Sequence, residues 1–117
     1  MFHSDIRGRF DRGEPAIVTA MLRFASIAER GRTALLAGDL DALDGLVNEN
    51  FDTRRSVFTL PPWQIEMVET ARRCGASAKF AGSGGAIVGL YRDTATLERL
   101  RGALSAIHCR LVVPIVG

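Results

Sequence analysis

Apolar positions recur at helical spacing through the first half of the chain. Ile17, Met21, Phe24 and Ala28 fall on one face, with Val18, Leu22 and Ala25 beside them. Glu14-Pro15 opens this helix, since proline suits the first helical position, and Gly38 closes it. Asp39 can then cap a second helix, where Leu40, Leu43, Val47 and Phe51 continue the stripe. So short a turn predicts a helical hairpin. After a loop around Phe58 to Pro62, Pro61-Pro62 starts a third helix with Ile65, Val68 and Ala71 inward and Gly75 as its end. Residues 1–13 carry Gly8, Gly13 and many charges, and read as an irregular lead-in.

Beyond Gly75 the pattern changes. Residues 77–81 and 85–91 read as two strands flanking a glycine loop. Thr94 can cap a fourth helix, with Leu97, Leu100, Leu104 and Ile107 regularly spaced. A last strand is expected over 109–115, with Leu111, Val113 and Ile115 on one face, and Pro114 placing it at an edge or a strand end. Strands joined by so tight a loop should pair antiparallel. The order helix, helix, helix, strand, strand, helix, strand describes an α+β two-layer domain spanning residues 1–117.

Composition narrows the class. At 117 residues there is room for one domain that buries roughly two thirds of its unfolded surface. No run of about 18 apolar residues is present, so no membrane span is expected. The N-terminal Met1 to Arg7 lacks the apolar stretch of a signal peptide, which predicts a cytoplasmic protein. The net charge is +2, and the basic residues are scattered without interleaved aromatics, which argues against a nucleic-acid partner. Fourteen of the fifteen basic residues are arginine, so Lys79, just before the glycine loop, is the only lysine. Biased coding DNA and a chemical cause explain this equally well. Cys74 and Cys109 have neither metal-ligand spacing nor a disulfide framework and read as buried structural thiols. His3 and His108 stand alone as histidines, and neither is assigned a catalytic role.

The chemistry concentrates in Lys79-Phe80-Ala81-Gly82-Ser83-Gly84-Gly85-Ala86. Three glycines in four positions let the backbone adopt positive φ and approach a ligand with no Cβ in the way. Successive backbone N–H groups in such a loop can form a nest for an anion, typically a phosphate. The same residues also suit a tight hairpin turn that holds nothing.

This run resembles the third motif of the GHMP kinases, the superfamily of galactokinase, homoserine kinase, mevalonate kinase and phosphomevalonate kinase. The flanking helix, strands and final helix are similar to that family's C-terminal domain, a relative of the ferredoxin-like fold. Leu46-Val47-Asn48-Glu49-Asn50-Phe51-Asp52-Thr53-Arg54-Arg55-Ser56-Val57-Phe58 resembles glucuronokinase-like members. So do Ile65 to Arg73 and His3-Ser4 followed by Arg7. The resemblance implies that Lys79, Gly82, Ser83, Gly84 and Gly85 line the nucleotide and phosphate side of an active-site cleft through backbone dipoles, not proton transfer. It also implies that Asn50, Arg54 and Arg55 face a sugar. An arginine fork suits the carboxylate of a uronic acid. A solvated helix end with local ion pairs is the other reading of that segment.

Phosphoryl transfer needs a phosphate cradle, a magnesium site and a group that orients the attacking hydroxyl. In GHMP kinases these lie in the N-terminal domain, in a first motif and a Pro-x-x-x-Gly-Leu-x-Ser-Ser loop, and neither occurs in this sequence. No catalytic residue and no metal ligand is therefore assigned. The expectation is the C-terminal portion of an ATP-dependent sugar kinase, with ATP and Mg2+ bound by the complete enzyme. This chain alone is expected to be inactive and to bind neither tightly. The partner is the missing N-terminal half, from the same gene or another chain. The sheet is expected to lack the family's first strand, leaving an edge for homo-oligomerisation. A stand-alone small-molecule-binding or dimerisation module that kept the fold and lost catalysis is the alternative.

Overall fold

The computed structural model describes residues 8–81 and 85–113. They divide into two compact units, one ending at Thr59 and one beginning at Leu60.

The first unit is helical. Residues 8–11 form a helical turn where the sequence predicted an irregular lead-in, closed by Arg12 N–H donating to the Gly8 carbonyl at 3.0 Å. The Arg9 guanidinium contacts the Glu14 carboxylate at 2.9 Å and donates to the Val57 carbonyl at 3.4 Å. That contact holds the Glu14 carboxyl below the usual carboxylate range. Helix α1 runs over Pro15–Ala37 with proline in its first turn. It ends where Gly38 turns left-handed at φ 67°, with Gly38 N–H donating to the Leu35 carbonyl and Asp39 N–H to that of Ala34. Helix α2, Leu40–Val57, is capped by the Asp39 side chain, which accepts from Ala42 N–H at 3.1 Å.

The hairpin is as expected, but its seam is rotated. On α1 the buried residues are Ile17, Ala20, Ile27 and Ala34, whereas Leu22 is 68% exposed and Ala28 faces solvent. On α2 they are Leu46, Phe51 and Thr53, with Leu43 and Val47 half-buried and Leu40 exposed. The reason is that α1 carries apolar residues on most sides up to Ile27. The period identifies a helix without fixing which stripe is inward. Contact with α2 decides it: Ile27, Ala34 and Leu46 form a core cluster, and Phe24, Ala42 and Leu43 pack on it.

The second unit contains helix α3 (Pro62–Arg73), strands β1 (Lys79–Phe80) and β2 (Ile87–Val88), and helix α4 (Thr94–Ala106). The strands pair antiparallel, Lys79 with Val88 and Phe80 with Ile87. Hydrogen bonds extend the pairing past the regular ladder, from Ala81 N–H to the Ala86 carbonyl and from Ser77 N–H to that of Leu90. The Ser77 hydroxyl in turn accepts from Leu90 N–H. Gly89 makes this closure possible, because a Cβ there would sit on the Ser77 carbonyl oxygen.

Two expectations are corrected here. Among the described residues the sheet has two strands, not three. Residues 109–113 form no strand, and 114–117 lie outside the described residues. Alternating apolar residues favour a strand, but a strand exists only through ladder partners. Leu111, Val112 and Val113 instead wall an apolar cavity of about 300 Å³ together with β2 and the inner faces of α3 and α4. Second, Asp93, not Thr94, caps α4: its carboxylate accepts from Thr96 N–H at 2.7 Å, and this bond holds its pKa down.

In α3, Val68 and Ala71 are buried and Ile65 is half-buried. In α4, Leu100 and Leu104 are buried, with Leu97 and Ile107 half-buried. Arg99 ties the two helices, donating to the Cys74 carbonyl at the end of α3. Cys74 is buried as expected, whereas Cys109 is only partly so. No helix among the described residues is long and apolar enough to cross a membrane.

Candidate functional site

The residues singled out by the sequence fall in both units. Asn50, Arg54 and Arg55 lie on the last turns of α2, in the first unit. Asn50 and Arg54 are four residues apart and share one helix face, while Arg55 points about 100° further round and is exposed. Arg54 is half-buried, and that burial lowers its pKa from the ordinary arginine value. Desolvation disfavours the charged guanidinium, which is the cause of that shift.

Lys79 and Gly85 lie in the second unit. Lys79 is half-buried on β1 opposite Val88. Gly85 is exposed at φ 86°, with nothing within 4 Å of the position a Cβ would take. The left-handed backbone, not crowding, accounts for glycine there. Gly82, Ser83 and Gly84 lie outside the described residues. Open backbone at Gly85 fits one edge of a phosphate nest. Among the described residues no three His, Cys, Asp or Glu side chains gather as metal ligands.

Sequence reasoning missed a cavity of about 620 Å³ beside the described end of the loop. Gly85, Trp63, Glu66, His108 and Arg110 are among the residues that line it. Trp63 sits in the first turn of α3 and is 54% exposed. His108 follows the end of α4 at φ 64°, the one non-glycine residue with positive φ among the described residues. The sequence signal was faint: a tryptophan next to a helix-opening proline pair, on no apolar stripe.

The fold and the glycine hairpin define a class. Residues 32–110 match the family model "GHMP kinases C terminal", and the chain belongs to this family. Over 89 residues it is 52% identical to probable glucuronokinase 2 of Arabidopsis thaliana, covering 74% of this chain and 24% of that protein. It is 51% identical to glucuronokinase 1 of the same plant, with 74% and 25% covered. The chain thus spans about a quarter of the length of the curated relatives it matches. It is also similar to the crystal structure of L. major mevalonate kinase in complex with R-mevalonate. That match has a TM-score of 0.77 and 26% identity, and covers 88% of this chain and 32% of the other.

Proposed function

We propose that this chain is the C-terminal portion of a cytoplasmic, ATP-dependent sugar kinase that phosphorylates an anomeric hydroxyl, with glucuronate as the leading acceptor. Its residues 1–117 act as one domain. The observation that carries this reading is the 52% identity to probable glucuronokinase 2. Asn50 and the arginines Arg54 and Arg55 contribute to the sugar side, where a bidentate guanidinium recognises the uronate carboxylate. Lys79, Gly82, Ser83, Gly84 and Gly85 line the phosphate side, where Gly85 offers open left-handed backbone. Magnesium, and with it the catalytic group, is assigned to the remaining three quarters or so of the relatives' length.

A kinase assay tests this. Joined to the polypeptide that supplies the rest of that length, the chain should support ATP-dependent phosphorylation of glucuronate; alone it should not turn over ATP. Turnover by the isolated 117-residue chain, or an inactive reunited enzyme, would overturn the reading. In the active protein Arg54→Ala should raise the KM for glucuronate about tenfold and leave that for a neutral sugar nearly unchanged. Equal effects on both would exclude Arg54 as the carboxylate partner.

A further inference from the structure

Apolar surface is concentrated at one place in the second unit. Four of the ten exposed large apolar side chains among the described residues, Val88, Tyr91, Val112 and Val113, line the cavity of about 300 Å³ bounded by β2, α3 and α4. Scattered exposed apolar residues need no cause, but a patch of them marks an interaction site. No residue lining the cavity is charged, so what fills it is apolar too.

The lining has the form of a strand's flanks. Ile87 to Tyr91 line the cavity without a break, and so do Leu111 to Val113. Successive side chains of a strand point to opposite faces, so an unbroken run meets the cavity along an edge as well as a face. β1 takes one edge of β2, and no other strand lies beside β2 among the described residues. Residues 109–113 carry the alternation of a strand and form none. Sheet edges that stay open to solvent usually bear charges or proline that keep another strand from adding. The residues lining this cavity include neither. An extended segment laid between β2 and residues 109–113, about 4.8 Å from each, gives both a ladder partner. Its inward side chains then meet Leu97, Leu100 and Leu104.

We propose that this cavity is the slot for an inserted β-strand, donated by the polypeptide that makes up the rest of the relatives' length, and that residues 109–113 become a strand when it enters. The chain spans about a quarter of those relatives, which leaves some three quarters of their length to supply the strand. The choice of donor rests on the kinase reading above; the slot and its uncharged lining do not.

Hydrogen exchange of the 117-residue chain, alone and with that polypeptide, is the test. Exchange at residues 111–113 should be about tenfold slower or more in the complex. Val112→Asp should weaken association about tenfold or more, because insertion would cover its charge with apolar surface. Val112 is 65% exposed in the isolated chain, so the Tm of that chain should hold and the loss is not one of folding. No association, association that leaves exchange at residues 111–113 unchanged, or Val112→Asp associating as wild type would overturn the proposal. Slow exchange there in the isolated chain would overturn it too, since a second copy or the chain's own residues would then fill the slot. Failure of the kinase reading looks different. A complex protected at residues 111–113 that does not phosphorylate glucuronate keeps the slot and removes the activity. An active enzyme without that protection keeps the activity and removes the slot.

Discussion

At the scale of single residues, backbone conformation discriminates between positions that composition treats alike. Gly38 and His108 occupy equivalent helix ends at nearly the same φ, 67° and 64°. Gly38→Ala should destabilise the protein by about 1 kcal/mol, since a Cβ is disfavoured in the left-handed region. His108→Gly should stabilise it by a similar amount, about 1 kcal/mol. Urea unfolding of both variants checks this, and a loss of stability in His108→Gly would mean that the imidazole makes contacts worth more than the strain. Gly89 is needed for another reason. Its backbone lies against Ser77, so the requirement is space, not φ. The sequence marks Gly38 as a helix stop but places Gly89 inside a strand, and only the coordinates separate conformation from contact.

At the scale of elements, polar groups set the helix ends and clasp the hairpin. Arg30 on α1 makes a two-pronged contact with Glu49 on α2, at 3.0 and 2.8 Å. The hydrogen bond from Arg30 lowers the Glu49 pKa, and the same bond raises that of Arg30. Because the folded value lies below the unfolded one, the stabilisation is complete above the ordinary glutamate pKa. It is lost as the pH falls through the depressed folded value. Tm measured against pH should therefore fall in the acidic range, and Glu49→Gln should flatten that fall at low salt, where screening is weak. An unchanged profile would show that the pair contributes nothing, as many exposed pairs do. Asp93 has the same sign, with its carboxylate held charged by Thr96 N–H, so the start of α4 should loosen over the same range. That Asp93, not Thr94, is the cap was hidden from the sequence because adjacent Asp and Thr are both competent caps.

At the scale of the whole molecule, the sheet among the described residues has two strands, β1 and β2. We propose that the isolated chain covers an edge by homodimerisation. Light scattering at micromolar concentration should return twice the chain mass of 12.7 kDa, and a monomer would refute it.

The helices, their order and most of their ends were legible in the sequence. Proline at a helix start and glycine at a helix end act through the local backbone, as Pro15, Gly38, Pro62 and Gly75 do. The glycine hairpin and its antiparallel pairing were legible for the same reason. What only the tertiary structure decided are properties of neighbours. The seam of α1 depends on the helix packed against it. Residues 109–113 form no strand because pairing requires an edge in register, which alternation cannot supply. The cavity under Trp63 and His108 brings together residues 45 positions apart in the sequence, and no local pattern encodes that approach.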